Sequence, residues 1–302
     1  MAIVGPTASG KSDLALRIAQ TFSGEIVNFD ALQLYRGFDI GTAKTPLSAR
    51  YGVSHHLFDV LEPRTGFSAG DYARAARETI AEIASRGRLP VAVGGTGFYL
   101  RALLDGLPSL PSRDEALRAR LSDREQRRPG ALHRLLRRLE PAAAARIHPR
   151  DIQKLTRALE IRMLTRTTLP SRSTAKPFQG FRLLQLGLAP DRTLLVEAIA
   201  ARTRRMFQEG LLEEVRGLLA QGLSGDEKPF ESLGYKQILA YLRGQATWEE
   251  AQESTEIETR QYAKRQLTWF RRDPRVQWLD GFGWDPPVAA AGLEAVRKFL
   301  SV

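Results

Sequence analysis

The sequence contains no cysteine and no apolar run long enough to cross a membrane. The absence of cysteine excludes disulfide frameworks, thiolate zinc sites and cysteine nucleophiles. A membrane-spanning helix needs about 20 consecutive apolar residues, and no run approaches that length. The opening letters, MAIVGPTASGKS, lead into a glycine-rich motif rather than a secretory leader. These features predict a cytoplasmic protein without membrane contact.

Acidic residues are outnumbered by basic ones. The chain has 302 residues, and its 45 Lys and Arg against 34 Asp and Glu give a net charge of +11. A basic chain attracts polyanions, among which nucleic acid is the leading candidate partner. Composition alone leaves open the alternative that the arginines reflect a GC-rich genome.

Short apolar runs alternate with helical patterns near the N-terminus. The apolar runs cover 2–4, 25–29 and 90–95, and the helical patterns cover 13–21 and 72–85. This rhythm is typical of βαβ units, in which helices cover both faces of a parallel sheet. Loops at the carboxyl ends of such strands are expected to form the functional site.

The character of the sequence changes at about residue 113. Strand patterns vanish there, and arginine-rich amphipathic helical patterns replace them, which predicts an all-helical insertion domain over 113–180. An apolar run at 183–189 indicates a strand that returns to the sheet. The core would therefore comprise 1–112 and 181–302.

The second part of the core contains further helical and strand patterns. They first predict a long helix that is capped by Asp191 and runs to about 221, and then a loop at 230–238. A short helix near 247–250 and a basic helix over 259–272 are predicted next. A strand at 276–280, a coil at Pro286 and Pro287 and a final helix complete the chain.

The segment GPTASGKS fits the G-x-x-x-x-G-K-[ST] pattern of a phosphate-binding loop and lies between a strand and a helix, as that pattern requires. Its glycines allow backbone N–H groups to point at a diphosphate, and the helix adds its positive end. Lys11 is predicted to neutralise the terminal phosphoryl group, and the Ser12 hydroxyl to bind Mg²⁺. The predicted diphosphate-binding residues are Gly5, Pro6, Thr7, Ala8, Ser9, Gly10, Lys11 and Ser12.

The motif assigns the fold class but not the reaction. We predict an α/β fold with a P-loop NTPase-like parallel sheet flanked by helices and an all-helical insertion domain. Motor and switch NTPases place an acidic residue at the end of a partner strand, whereas here PVAVGGTG ends in glycines and threonine. The layout is closer to that of metabolite kinases, or of an enzyme whose diphosphate is a leaving group.

Asp30 ends the second predicted strand and should emerge beside the phosphate-binding loop. A carboxylate at this edge could act on Mg²⁺ or on a reacting amine. The alternative is an aspartate that caps the following turn, a common use of this residue.

Eight segments occur in an order and spacing that closely resemble those of the tRNA dimethylallyltransferases, also called isopentenyl-adenosine tRNA synthases. They are GPTASGKS, DALQLYRGFDIGTAK, HHLFDV, VGGTGFYLRALLDGL, RALEI, GLLEEV, GYKQI and RQYAKRQLTWFR. The similarity spans essentially the whole chain, and the order of the segments is more specific than any one of them.

The resemblance implies that the phosphate-binding loop holds the pyrophosphate of dimethylallyl diphosphate. It also implies that the target adenine, 3′ of the tRNA anticodon, enters from the opposite side. Asp30 matches the family's general base, aimed at the adenine N6, and Thr96 matches a threonine that touches the bridging oxygen of the leaving group. Lys11 and Arg202 match cations near the pyrophosphate.

The resemblance also implies contacts with the anticodon stem and loop of tRNA. The matching residues are Asp30, Ala31, Leu32, Gln33, Thr96, Arg118, Gln153, Lys154, Leu155, Thr156, Arg157, Glu231, Ser232, Leu233, Gly234, Tyr235 and Lys236. Ala31 departs from the family, which commonly has serine there, so any hydroxyl contact at that position is missing. Gln33 is suited to bonding a base edge.

Several of these assignments have a simpler alternative. Helical spacing predicts that one apolar face packs on the core of the insertion, formed by Ile152, Leu155, Leu159 and Met163. Tyr235 could stack on a base or pack in the interior. Aromatic residues among the cations of 259–272 suit single-stranded nucleic acid, but helical spacing more often indicates core packing. His55 and His56 are assigned to loop structure rather than to a metal site.

Three other functions compete with tRNA prenylation. A small-molecule kinase would transfer phosphoryl groups from ATP. An isopentenyltransferase acting on free adenine nucleotides would not need a basic insertion. A non-catalytic RNA-binding protein would make Asp30 and Thr96 dispensable. A monomer is the simplest expectation for the oligomeric state.

Overall fold

A computed structural model of the chain describes residues 1–108, 110–168 and 175–301. The chain divides into two compact units, of which the first comprises Met1–Leu104 and Phe178–Val302 and the second Asp105–Pro177. The second unit begins and ends somewhat earlier than the insertion predicted over 113–180.

The first unit contains a six-stranded parallel sheet. Its strands are β1 (Ala2–Val4), β2 (Gly24–Asn28), β3 (His55–His56), β4 (Leu89–Val93), β5 (Gln185–Leu188) and β6 (Val276–Leu279), and their spatial order is β3-β2-β4-β1-β5-β6. The strands β2, β3 and β4, which follow β1 in the chain, lie on one side of β1, and the later strands β5 and β6 lie on its other side. Loops at such a switch point form the ligand-binding crevice of open parallel sheets.

Helices flank this sheet, which confirms the predicted α/β fold class. The helices of the first unit are α1 (Lys11–Thr21), α2 (Ala69–Ser85), α3 (Gly97–Asp105), α8 (Arg192–Gln208), α9 (Leu211–Ala220), α10 (Tyr235–Leu242), α11 (Trp248–Phe270) and α12 (Pro286–Leu300), with 3₁₀ turns at Leu47–Ala49 and Lys228–Glu231. Residues of α1 and α12, including Leu14, Ile18 and Val296, form a buried core with strand residues such as Ile3 and Leu186.

Four elements differ from their prediction, and one of them is the loop predicted at 230–238, in which a 3₁₀ turn ends at Glu231 and α10 begins at Tyr235. The predicted helix to 221 is two helices, because Gly210 has a left-handed backbone (φ 104) that ends α8 and starts α9. The two helices predicted at 247–250 and 259–272 are one, α11, whose start is fixed by a reciprocal capping box between Thr247 and Glu250. The final helix includes Pro286, which the first turn accommodates because no N–H is needed there.

In the described part of the second unit all regular elements after α3 are helices. They are α4 (Glu115–Arg127), α5 (Ala131–Leu139), α6 (Pro141–Ala144) and α7 (Ile152–Thr165). Leu155 and Leu159 are fully buried in their core, as predicted. The prediction was wrong for Ile152 and Met163, which are 38% and 37% exposed. Both lie in end turns of α7, beyond the layer of packed leucines.

Glu160 is a fully buried carboxylate at the centre of the second unit. Its oxygens accept hydrogen bonds from Arg118 (2.8 and 3.0 Å), from the Asp114 N–H (2.9 Å) and from Arg157. Arg157 also donates to the Pro111 carbonyl at 2.8 Å. Burial alone would raise the pKa of Glu160, but the hydrogen bonds from Arg118, Arg157 and the Asp114 N–H outweigh it and lower the pKa to about 2.

The lowered pKa of Glu160 predicts an acid-sensitive second unit. Because the folded pKa lies below the ordinary value of 4.5, the stabilisation is present above pH 4.5 and is lost as the pH falls towards 2. We expect Glu160→Gln to destabilise the unit by about 3 kcal/mol at pH 7 and to flatten this acid dependence. Hydrogen exchange of the α4, α5 and α7 amides in the full chain measures both effects.

The control for this prediction is Glu115→Gln, which changes an exposed glutamate of α4. We expect it to alter stability by less than about 0.5 kcal/mol. Equal effects of the two substitutions would contradict the central role of Glu160.

No helix in the described ranges is long and apolar enough to span a membrane.

Candidate active site

The phosphate-binding loop joins β1 to α1 at the carboxyl edge of the sheet. Gly5, Ala8 and Gly10 have positive φ angles of 146, 61 and 81°, so the backbone turns its amides inward. Gly10 precedes α1 without a side-chain cap in the described structure, which leaves the first-turn N–H groups open to an anion. The Ser9 hydroxyl donates to the Pro6 carbonyl at 2.8 Å and braces the loop.

Two partly buried cations lie at this loop. Burial first, and then the charge of Arg202, lower the pKa of Lys11 to about 7, while the charge of Asp30 acts in the opposite direction. Burial likewise lowers the pKa of Arg202, and Asp30 again acts in the opposite direction. Lys11 Nζ donates to the Pro6 carbonyl at 2.6 Å, whereas Arg202 has no hydrogen bond or ion pair to any described residue. Such a pair of desolvated cations is suited to a polyanionic ligand.

Asp30 follows β2 and caps the following turn, which is one of the two roles that the sequence left open for it. Its Oδ1 accepts the Leu32 N–H at 3.0 Å, which is a turn cap, and its own N–H donates to Asn28 Oδ1 at 2.7 Å. The same carboxylate interacts electrostatically with Lys11 and Arg202. The turn therefore fixes the orientation of a carboxylate that faces the phosphate-binding cations.

The glycine-rich loop after β4 lies against Asp30. A Cβ atom at Gly94 would lie 2.5 Å from the Phe29 carbonyl carbon, and one at Gly95 would lie 3.3 Å from Asp30 Oδ2. Glycine is thus required for this close approach. The loop delivers Thr96, whose Oγ1 accepts the Ala31 N–H at 3.0 Å. Motor and switch NTPases have an acidic residue at the end of the corresponding strand. This chain has glycines there, and they bring Thr96 next to the Asp30 carboxylate.

Two residues of α11 join the site without having been predicted to do so. Gln266 Oε1 accepts the Thr7 N–H at 2.7 Å, and its Nε2 donates to the Gly95 carbonyl at 2.9 Å. Tyr262 lies one turn earlier, where burial first and then the charge of Asp30 raise its pKa. The available signal was their i, i+4 spacing within RQYAKRQ.

Comparison with known proteins assigns the family of this chain. A family model described as IPP transferase matches residues 33–273. Over 303 residues the chain is 54% identical to a tRNA dimethylallyltransferase of Solibacter usitatus (strain Ellin6076), in a match that covers 99% of this chain and 98% of that protein. The chain belongs to the IPP transferase family. The resemblance derived from the motifs is confirmed.

Solved structures of IPP transferases share the fold. The full-length tRNA isopentenylpyrophosphate transferase of Bacillus halodurans superposes with a TM-score of 0.71 at 37% identity, covering 100% of this chain and 98% of that one. A eukaryotic dimethylallyltransferase acting on tRNA superposes with a TM-score of 0.84 at 26% identity, covering 99% and 79%. The similarity therefore extends over both units.

In the first unit, two of the side chains predicted to contact tRNA, those of Gln33 and Tyr235, already have partners within the fold. Gln33 Nε2 donates to the carbonyls of Thr42 (3.0 Å) and Ala43 (3.3 Å). Tyr235 is fully buried and bonds Glu214, so its ring cannot stack on a base. Ala31, Leu32, Ser232 and Leu233 are partly exposed, Gly234 is buried and Glu231 is exposed.

In the second unit, the predicted tRNA contacts differ in accessibility. Lys154 is 72% exposed and pairs with Asp151 at 2.5 Å. Arg118 and Arg157 are 24% and 31% exposed and are held by Glu160. Gln153 is exposed, Thr156 is partly exposed and Leu155 is fully buried, so Leu155 could meet tRNA only through its backbone. Lys154 is the most accessible cation of this helix face.

The adjacent histidines have partners within the first unit. His56 Nε2 lies 2.6 Å from Glu25 Oε2, and His55 Nδ1 lies 2.8 Å from the Val53 carbonyl. The described ranges contain no cluster of three or more His, Cys, Asp or Glu side chains that could hold a metal ion.

The lowered pKa of Lys11 predicts pH-dependent diphosphate binding. The free site holds Lys11 at a pKa of about 7, and a bound diphosphate favours the charged lysine and raises that pKa. Binding should therefore take up a proton above pH 7, and the Kd of diphosphate should rise by up to about tenfold per pH unit. Calorimetric titration of inorganic diphosphate between pH 6.5 and 9 measures this.

The control is a variant without the lysine, which distinguishes the titration of Lys11 from the titration of diphosphate itself. Lys11→Met should bind more weakly and with a shallower pH dependence. Equal slopes in the original protein and the variant would contradict the assignment to Lys11.

Proposed function

We propose that this chain transfers a dimethylallyl group from dimethylallyl diphosphate to N6 of the adenine 3′-adjacent to the anticodon in tRNA, with release of pyrophosphate. The observation that carries the proposal is the convergence of Asp30 with Lys11 and Arg202 beside the phosphate-binding loop. This convergence supports a site in which a base for an amine and cations for a diphosphate act together. The names of relatives that match almost the whole chain support the same reaction.

The cations suit the departure of the leaving group. Breaking the allylic C–O bond develops positive charge on the allyl group and negative charge on the pyrophosphate. Lys11, Arg202 and the loop amides stabilise that negative charge, and their partial desolvation strengthens the interaction. Thr96 is placed to donate a hydrogen bond to the bridging oxygen as the bond breaks.

Asp30 suits the acceptor half of the reaction. The adenine N6 forms a bond to the allyl carbon while the C–O bond breaks, and the nitrogen becomes acidic as it gains positive charge. The Asp30 carboxylate then accepts the N6 proton. An ordinary carboxylate is adequate because the proton is lost from an already cationic nitrogen.

We propose Mg²⁺ as the divalent cation of this diphosphate chemistry. The Ser12 hydroxyl, in the first turn of α1, would hold it together with substrate oxygens. Bound Mg²⁺ would add charge stabilisation to the leaving group.

We further propose that residues 113–180 form the tRNA-binding domain, acting in a cytoplasmic monomer. An adenine in a single-stranded loop can be extruded into a site at low cost. The cations on α4 and α7 would grip the anticodon stem and loop, and the high positive charge of the chain suits this partner.

One assay separates this function from its alternatives. Purified protein with Mg²⁺ and labelled dimethylallyl diphosphate is incubated with unmodified tRNA or with AMP, and the nucleosides are analysed after digestion. Prenylated adenosine in the tRNA reaction is expected. Label in AMP alone, or phosphoryl transfer from ATP to a small metabolite, would contradict the proposal.

Substitution of Asp30 tests the base. Asp30→Ala should lower turnover at least about 100-fold with nearly unchanged tRNA affinity. Asp30→Asn keeps an acceptor for the Leu32 N–H but cannot take a proton, so it should be similarly impaired. Near-normal turnover by the asparagine variant would show that Asp30 serves only as a turn cap.

Substitution on α7 tests the tRNA-binding face. Lys154→Ala should weaken tRNA binding and reduce the slope of log K against log salt by about 1. Arg157→Ala should do the same, but it also releases Glu160, so its stability must be measured in parallel. Arg297→Ala is the matched control, because Arg297 pairs within its own helix as Lys154 does. Unchanged binding by Lys154→Ala would contradict this docking face.

A further inference from the structure

Two side chains clamp a loop that follows β2. Glu214 Oε2 accepts the backbone N–H groups of Asp39 at 3.1 Å and Ile40 at 2.9 Å. The Tyr235 hydroxyl donates to Glu214 Oε1 and accepts the Gly41 N–H at 3.2 Å. Three consecutive amides of the loop are therefore held by one residue of α9 and one residue of α10.

The clamp also fixes the next two residues of the loop. A Cβ at Gly41 would lie 2.3 Å from Tyr235 Cε2, so glycine is required for the loop to reach the ring. The Ala43 N–H donates to the Ile40 carbonyl at 3.0 Å and closes a turn. Because Ile40 is held at one end of this turn, the carbonyls of Thr42 and Ala43 have defined positions.

These two carbonyls determine what the side chain of Gln33 offers to a ligand. Gln33 Nε2 donates to the Thr42 carbonyl at 3.0 Å and to the Ala43 carbonyl at 3.3 Å, which uses both of its protons. Because a carbonyl can only accept, the orientation of the amide is fixed. Gln33 Oε1 has no donor among the described residues and is not sealed from solvent. The group that remains for a ligand is therefore an acceptor only.

An acceptor at this place selects its partner by chemistry. Gln33 lies three residues after Asp30, which is the proposed base for the adenine amine. Exocyclic amines at nucleobase edges donate hydrogen bonds, whereas ring nitrogens and carbonyl oxygens accept them. A side chain that only accepts will bond the amines and repel the acceptors. A glutamine that was free to turn its amide over would not make this distinction.

We propose that Glu214 and Tyr235 are positioning residues for RNA recognition. They hold the loop so that the carbonyls of Thr42 and Ala43 bind the Gln33 amide protons. Gln33 then presents its Oε1 to an exocyclic amine of a nucleobase in the substrate RNA. Tyr235 thereby serves RNA binding from the interior, without contacting the RNA itself. The inference rests on the proposed function.

A double-mutant cycle tests the positioning role. Gln33→Met should raise the Kd of an anticodon stem-loop RNA about tenfold by removing the acceptor. Tyr235→Phe should raise this Kd about fivefold, with little change in the KM for dimethylallyl diphosphate, because the clamp holds a different loop from the one that binds phosphate. Because Tyr235 acts through Gln33, the double variant should bind no more weakly than Gln33→Met alone. A merely structural role would give the same fivefold loss in both backgrounds.

Matched variants complete the cycle. Tyr72→Phe removes the hydroxyl of another buried tyrosine, which has no hydrogen-bond partner among the described residues, and should leave the Kd unchanged. Glu214→Gln keeps an oxygen for the Asp39 and Ile40 N–H groups, so it should retain more RNA affinity than Glu214→Ala. Thermal unfolding of every variant identifies any loss caused by misfolding.

Modified RNAs identify the group that Gln33 contacts. In the stem-loop, each adenine is replaced in turn by purine, each guanine by hypoxanthine and each cytosine by 2-pyrimidinone, so that one exocyclic amine is removed at a time. One replacement should raise the Kd for the original protein and not for Gln33→Met. If no replacement does so, or if only a 2′-deoxy substitution does, the assignment to a nucleobase amine is overturned.

The outcomes distinguish this inference from the proposed function. If the original protein modifies tRNA and the Tyr235→Phe loss disappears with Gln33→Met, the positioning role is supported. If the protein is active and the losses multiply, or Tyr235→Phe binds RNA as Tyr72→Phe does, the positioning role is overturned alone. An original protein that neither binds the stem-loop nor consumes dimethylallyl diphosphate would overturn the proposed function and this inference together.

Discussion

The site depends on the repulsion between two cations that are held out of water beside one carboxylate. Burial is the main cause that lowers the pKa of both Lys11 and Arg202, the charge of Arg202 adds to the effect on Lys11, and Asp30 compensates only in part. A diphosphate adds the missing negative charge, so binding relieves a cost that folding imposes on the free protein. The fold maintains this arrangement because β1 and β2 deliver Lys11 and Asp30 to one edge of the sheet, and α8 carries Arg202 to the same place.

The features of the site that sequence predicted are those encoded by short-range patterns. The strands β1 and β4 are continuous apolar runs, β2 contains the apolar pair Ile26 and Val27, and the lysine of the phosphate-binding loop has a fixed spacing within its motif. Asp30 could be placed because a parallel strand must deliver its following residue to the carboxyl edge. The same reasoning could not tell a turn cap from a base, and the structure shows that the cap exists.

The features that sequence did not predict depend on contacts between distant segments. Gln266 bonds Thr7 across 259 positions, and no local pattern distinguishes it from any other buried glutamine of a helix. Tyr235 lies in a motif suited to RNA, yet Glu214 of another helix engages its hydroxyl in the interior. The two predicted helices are one, α11, because the polar stretch between them continues the helix and buries Ala251 and Thr255 against the rest of the fold.

Three of the four positions from 94 to 97 are glycines with no free volume. A Cβ at Gly94, Gly95 or Gly97 would come within 2.5 Å or less of Phe29, Gln266 or Trp269. Random mutagenesis of these glycines would therefore mostly return unfolded or misassembled protein, and the remaining position, Thr96, is the one that the proposed reaction uses. Diversification towards bulkier prenyl donors or other amine acceptors, in nature or in the laboratory, would have to proceed through surrounding helices instead.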